Sequence, residues 1–170
     1  AARDYATIQD ILDSAREKGE APLIIICDEI TDPHNLGAII RTAECAGAHG
    51  VIIPKRRSSG LTAVVAKASA GAMEYMKIAR VSNLTAAIKT LKENGVWIYG
   101  TAADGAAPLY RTDLTGPAAI VIGSEGEGMS RLVTENCDFL VSIPMKGKLN
   151  SLNASAAAAI LLYEAVRQRL

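Results

Sequence analysis

Short, uniformly apolar runs alternate along this chain with segments in which apolar residues recur every three or four positions. The runs at 22–27, 51–53, 75–79, 96–99, 118–122 and 139–143 lack the polar alternation of a strand with one wet face. They therefore predict strands buried on both faces. Between them, Thr7 followed by Asp10 has the form of a capping box and opens a helix that ends near Gly19. Leu36, Ile39, Ile40 and Ala43 form the stripe of a helix over 35–46. Further helices are predicted at 61–70, from Asn83 to a stop at Gly95, at 129–135, and over the alanine-rich 156–169.

Strands alternating with helices predict an α/β domain, a mostly parallel sheet covered by helices on both faces. In such sheets ligands bind beyond the carboxyl ends of the strands. The polar and glycine-rich segments 28–35, 101–105, 123–128 and 146–153 all fall there, so one composite site is expected. The stretch of about fifteen residues between the runs at 96–99 and 118–122 is long enough to predict a function or local structure of its own.

The chain of 170 residues, 49% hydrophobic, fits a single domain over 1–170, with 1–20 as linker and first helix. Eighteen basic residues balance eighteen acidic ones, which excludes recognition of nucleic acid by a global field and leaves local patches. Cys27, Cys45 and Cys137 read as reduced, buried thiols of a cytoplasmic protein rather than a disulfide framework. No run suggests a membrane span or signal peptide. The opening Ala-Ala-Arg, without methionine, suggests that an N-terminal part precedes this fragment.

Asn150, Ser151, Asn153 and Ser155 crowd the start of the last helix. One would suffice as an N-cap, so the surplus predicts a ligand held at the helix N-terminus. Arg41 lies one turn below Gly37 and is placed to reach across bare backbone toward Asn35, offering a cation to an anion there. A surface arginine paired with an acid, beside an asparagine cap, accounts for the same residues equally well. The loop Gly123-Ser-Glu-Gly-Glu-Gly128 is neither a dinucleotide fingerprint nor a Walker loop. Its two glutamates would repel a pyrophosphate, so it is either a tight turn or a place where backbone approaches a neutral or cationic ligand. Lys55, Arg56 and Arg57, with Lys146 and Lys148, are solvated loops or a basic rim for RNA. Cys45 and His49 are four apart but lack companion ligands, so no metal site is expected, and His34 reads as structural. No nucleophile elbow or triad pattern is present.

Taken together, Asp32-Pro-x-Asn35-x-Gly37-x-x-x-Arg41, Ile122-Gly-Ser-Glu125-x-Glu-Gly128 and Ile143-Pro-Met-x-Gly-x-x-x-Ser151-Leu-Asn153 resemble the three motifs of the SpoU/TrmH family, the ribose 2′-O-methyltransferase branch of the SPOUT class. Order and spacing match, and the resemblance runs from about Leu23 to the end. The stretch from Pro54 to Thr62 looks most like RlmB-type enzymes, which methylate a guanosine of 23S rRNA and carry a small N-terminal RNA-binding domain expected to be absent here. The resemblance implies an S-adenosyl-L-methionine-dependent enzyme with a C-terminal trefoil knot, usually a homodimer. It assigns the cofactor to Thr101, Ala102, Gly123, Glu125, Gly126, Ile143, Met145, Ser151, Leu152 and Asn153. It assigns catalysis to Arg41, framed by Asn35, Glu125, Ser151 and Asn153, and RNA binding to Arg41, Lys55, Arg56, Arg57, Lys146 and Lys148. A tRNA or antibiotic-resistance rRNA enzyme, or a non-catalytic RNA-binding module that kept the knot, would carry similar motifs.

Overall fold

Residues 4–103 and 106–170 are described in a computed structural model. Its frame is a seven-stranded sheet in which every pairing is parallel. In chain order the strands are β1 (Leu23–Asp28), β2 (Gly50–Pro54), β3 (Ile78–Val81), β4 (Trp97–Thr101), β5 (Ala107–Pro108), β6 (Ala118–Gly123) and β7 (Phe139–Ser142). Their spatial order is β3-β2-β1-β6-β4-β7-β5. The polypeptide thus leaves a slot beside β1, fills it later with β6, and sets β7 on the far side of β4. Because all strands point one way, β1, β6, β4 and β7 deliver Asp28, Gly123, Thr101 and Ser142 to a single edge.

The uniform burial read from the apolar runs has a simple origin. Side chains alternate across a strand, so Leu23, Ile25 and Cys27 enter one core while Ile24 and Ile26 enter the other. Helices α2 (Pro33–Cys45), α3 (Ala63–Ala68) and α6 (Ala154–Arg169) cover the first face. Helices α1 (Ile8–Lys18), α4 (Leu84–Glu93) and α5 (Arg131–Asn136) cover the second. The α/β architecture expected from the sequence is borne out.

The helix ends follow local chemistry. Thr7 and Asp10 make both bonds of the capping box, at 3.0 and 2.9 Å, and Gly19 ends α1 at φ 65°. Helix α3 is shorter than the predicted 61–70, because Thr62 caps it and Ala70 and Gly71 then turn left-handed, at φ 52° and 88°. A 3-10 turn, Ala72–Glu74, follows, and Met73 and Met76 drop into the core. The strand placed at 75–79 therefore forms later, as β3. The long connection before β6 holds its own structure: β5, a 3-10 turn at Leu109–Arg111, and the buried Leu109 and Leu114. Asp104 and Gly105, part of that expectation, lie outside the described residues.

One further reading needs correction. Cys27 is buried, its thiol pushed up to about 12 by burial, and Cys137 is partly buried, but Cys45 is exposed, off the buried stripe of α2. His49 is buried, and both ring nitrogens are used. Nδ1 accepts Leu23 N–H at 2.9 Å, which leaves Nε2 to donate to Glu20 Oε1 at 2.9 Å. His49 is thus a structural latch at the start of β1. Among the described residues no helix is long and apolar enough to cross a membrane.

The last turn of α6 bolts the sheet's amino edge. Arg169 donates to four carbonyls, those of Leu114, Ala21, Pro22 and Gly116, at 3.0, 2.8, 3.2 and 2.7 Å. Gln168 accepts from Leu114 N–H at 2.7 Å and donates to Thr112 O at 2.8 Å. Arg169→Ala should cost about 2–3 kcal/mol in urea unfolding, and Arg169→Lys should recover less than half, since an ammonium cannot fan out to four acceptors. Beside it, hydrogen bonds from Arg167 and Gln168 hold the Glu164 carboxyl at about 2, below its ordinary 4.5. A depressed folded value adds stability above the unfolded value and loses it as pH falls through the folded one. The stability difference between the parent and Glu164→Gln should therefore be constant above about pH 5 and shrink toward about pH 2, as read by unfolding across pH.

Candidate active site

A cavity of about 740 Å³ opens at the carboxyl edge, between the loops that follow β4, β6 and β7 and the start of α6. Thr101, Ala102, Gly123, Glu125, Gly126, Ile143, Met145, Ser151 and Leu152 all line it. These are the residues the motifs assign to the cofactor, save Asn153, which stands just beyond as the N-cap of α6.

The wall from β6 depends on bare backbone. A Cβ on Gly123 would collide with the backbone of Gly128 and Met129, which folds back directly over it. Ser124 and Gly128 close that fold with paired bonds, Ser124 N–H to Gly128 O at 3.2 Å and Gly128 N–H to Ser124 O at 2.8 Å. Gly126 and Gly128, at φ 82° and 72°, hold the left-handed geometry that the turn requires. The turn thrusts Glu125 sideways toward α6.

There Glu125 Oε1 gathers three donors: Asn153 Nδ2 at 2.7 Å, Ala154 N–H at 3.2 Å and Asn35 Nδ2 at 3.3 Å. Asn153 Nδ2 also donates to Asn35 Oδ1 at 3.0 Å. The same amide faces the other way with its oxygen, which accepts Ser155 N–H at 3.0 Å and Ala156 N–H at 3.1 Å. Asn35 is free for this work because Asp32, not Asn35, caps α2, accepting His34 N–H at 2.8 Å with Pro33 in the first turn. The helix N-terminus expected to hold a ligand is thus occupied by the protein's own carboxylate. Asn150 and Ser151 lie before α6 and face the cavity, so only Asn153 and Ser155 belong to its start.

Arg41 is exposed on α2, and among the described residues it has neither hydrogen bond nor ion pair. It is not the surface arginine of an acid pair. Nor does Gly37 clear a path for it: Gly37 is buried where α3 crosses, and a Cβ there would strike Ala68. Of the basic residues, Lys55, Arg56, Lys146 and Lys148 are exposed, and Lys148 lines the cavity. Arg57 is committed, at 2.8 Å, to Glu29. Sequence reasoning missed Thr134, which reaches the cavity from α5. A threonine inside a short helix gives no signal of that kind.

Residues 22–163 match the SpoU rRNA Methylase family. The chain belongs to that family. It is 53% identical over 169 residues to YacO of Bacillus subtilis, named as a TrmH family tRNA/rRNA methyltransferase, covering 99% of this chain and 68% of that protein. It is 53% identical over 158 residues to the 23S rRNA (guanosine-2′-O-)-methyltransferase RlmB of Photobacterium profundum, covering 93% and 64%. Among solved structures, the SpoU methyltransferase AviRb of Streptomyces viridochromogenes, in complex with AdoMet, superimposes with a TM-score of 0.83 at 34% identity, over 88% of this chain and 61% of that one. The chain therefore spans about two-thirds of the length of these relatives. The family read from the three motifs is borne out, and so is the mostly parallel α/β sheet.

The two ends of Asn153 can be separated by experiment. Serine caps a helix about as well as asparagine, so Asn153→Ser should lose about 1–3 kcal/mol of unfolding stability, the worth of the Nδ2 bonds and not of the cap. It removes the Nδ2 donor that joins Asn35 to Glu125, and methyl transfer should fall at least roughly tenfold, one lost hydrogen bond to a charged group.

Proposed function

We propose that this chain carries the catalytic centre of an S-adenosyl-L-methionine-dependent RNA methyltransferase that modifies a ribose 2′-hydroxyl, with a guanosine of 23S rRNA as target. The observation that carries the reading is the composite cavity, walled by the second and third motifs together with residues 101–103 and Thr134, with the first motif tied to its rim through the Asn35–Glu125 bond. Its chemistry fits the cofactor: glycine backbone and the carboxylates of Glu125 and Glu127 suit a ligand with a cationic centre and repel a pyrophosphate. When bound, the cofactor supplies an activated methyl on a sulfonium. The relative RlmB supports the guanosine of 23S rRNA. A tRNA target is supported by the wider name of YacO.

A ribose hydroxyl is a weak nucleophile at neutral pH and needs alignment and relief of developing charge. Arg41 has its charge uncommitted among the described residues. A guanidinium is always protonated, so Arg41 binds the phosphate beside the reacting ribose and stabilises the alkoxide as it forms. Asn35, Glu125 and Asn153 hold α2, the glycine loop and α6 in register, and Ser151 faces the cavity between cofactor and ribose. Lys55, Arg56, Lys146 and Lys148 grip the RNA backbone. We read the outward row of α6, with Ala156 and Tyr163 exposed, as a homodimer surface, the chain after β7 as the threaded end of a knot, and the cytoplasm as the place of action.

Transfer of tritium-labelled methyl to purified 23S rRNA and to tRNA tests the target. Transfer to 23S rRNA alone is expected, and transfer to tRNA alone would overturn that assignment. Arg41→Ala should lower transfer at least about a hundredfold while calorimetric binding of S-adenosylmethionine stays within about twofold. Retained turnover in Arg41→Ala would sink its catalytic role. A parent protein that binds no S-adenosylmethionine would favour an RNA-binding module.

A further inference from the structure

Five of the six α-helices are capped by the side chain of their own N-cap residue: Thr7, Asp32, Thr62, Asn83 and Asn153. Helix α5 is different. Its N-cap Ser130 makes no side-chain cap bond. Instead, Ser130 N–H donates at 2.7 Å to Oδ2 of Asp28, which lies 102 positions earlier at the end of β1. Asp28 is only 3% exposed. A carboxylate so deeply buried is costly unless donors hold it, so its presence needs a structural return.

The position of Ser130 supplies that return. The strand register sets Asp28 beside Gly123, where the glycine loop leaves the sheet, and Ser130 stands where the loop has come back. Between these points, Ser124 and Gly128 bond mainly to each other, so the fold-back is closed on itself. On its far side the carbonyl of Ser130 accepts both Thr134 N–H, at 2.9 Å, and the Thr134 hydroxyl, at 2.8 Å. Two parts of the cavity wall, the Glu125–Gly126 turn and Thr134, thus flank a single residue that Asp28 fixes.

We propose that Asp28 is a positioning residue of the cofactor site: by holding Ser130 N–H it sets the glycine loop, and with it Glu125, at the height where the loop meets α2 and α6. The proposal rests on the cofactor reading given above. It assigns the role to geometry rather than to the negative charge, and the two can be told apart. Asparagine at position 28 keeps an oxygen that accepts the same N–H, and alanine keeps nothing. Ser130 has φ −64°, the angle a proline ring imposes, but a proline Cδ would stand where the N–H meets Asp28 Oδ2 at 2.7 Å, so Ser130→Pro deletes the donor without a clash only where Asp28→Ala has cleared the carboxylate.

Two measurements on the full chain test this: amide hydrogen exchange over 124–130 without cofactor, and calorimetric titration with S-adenosylmethionine. Asp28→Ala should speed exchange across that segment and weaken binding roughly tenfold. Asp28→Asn should restore both to near parent values. Ser130→Pro alone should be at least as defective as Asp28→Ala, and the double variant should be no worse than Asp28→Ala, since both remove one bond. Unchanged exchange in Asp28→Ala, an Asp28→Asn as defective as the alanine variant, or additive losses in the double variant would each overturn the proposal. If Asp28→Ala does not fold, Asp28→Asn decides it, since exchange or binding far from the parent's would overturn the proposal. A parent that fails to bind S-adenosylmethionine would defeat the cofactor reading, and the exchange measurements would still decide whether Asp28 holds the loop.

Discussion

One carboxylate oxygen, Glu125 Oε1, joins the three segments on which the site is built. Asn35 on α2, the glycine loop after β6 and the first residues of α6 are far apart in sequence, and no strand pairs them. What joins all three at this edge is the set of donors that this oxygen collects, from Asn153, Ala154 and Asn35, seconded by the direct Asn153–Asn35 bond. A carboxylate is the right group because it accepts several N–H bonds at once and is stabilised by the positive end of a helix. The arrangement also disposes of the unpaired amide at the start of α6, which elsewhere would invite an outside anion. The protein fills its own anion site and leaves beside it a cavity lined by Glu125 and Glu127.

That geometry works only because the glycine loop can be folded flat. Gly123 has backbone of Gly128 and Met129 where a side chain would be, so any Cβ there would lift the loop and carry Glu125 away from its donors. Gly37 performs the matching service on the opposite side, letting α3 approach α2 through Ala68. Close approach of backbone, more than conformational freedom, explains both positions. The parallel sheet then does the rest, since it brings the ends of β1, β6, β4 and β7 to one edge before any side chain chooses a partner.

How much of this was legible follows the range of the interactions involved. The run Leu-Ile-Ile-Ile at 23–26 announces a strand buried on both faces, and Thr7 with Asp10 announces a helix start, because burial and capping are decided within a few residues. Most of the cavity wall was legible, through the second and third motifs and the residues around the end of β4, though Thr134 was missed. The roles of individual polar groups were not. Asn150, Ser151, Asn153 and Ser155 look alike in sequence, yet the first two face the cavity, Asn153 bridges to Asn35 and Glu125, and Ser155 packs at the cap. Only the partner across space separates them, and Asn35 lies 118 residues from Asn153. The same limit hid Met73 and Met76, whose burial delays the strand expected at 75–79 to Ile78–Val81, and the exposure of Cys45.

The basic residues show how commitment differs from charge. Arg57 and Glu29 both adopt left-handed backbone, at φ 54° and 60°, and their ion pair ties the loop after β2 to the loop after β1. Left-handed backbone disfavours such residues by roughly 1 kcal/mol each, about the size of an exposed ion pair. Neither feature persuades alone, but together they fix the shape of the loop that carries Lys55 and Arg56. Under the proposed activity, a phosphate reaching Arg57 must displace Glu29, whereas Arg41 meets RNA without a protein competitor among the described residues. The division is physically sensible. A cation that must stabilise charge appearing during reaction gains most when no carboxylate already shares it, and a cation that shapes a binding loop loses little by being shared.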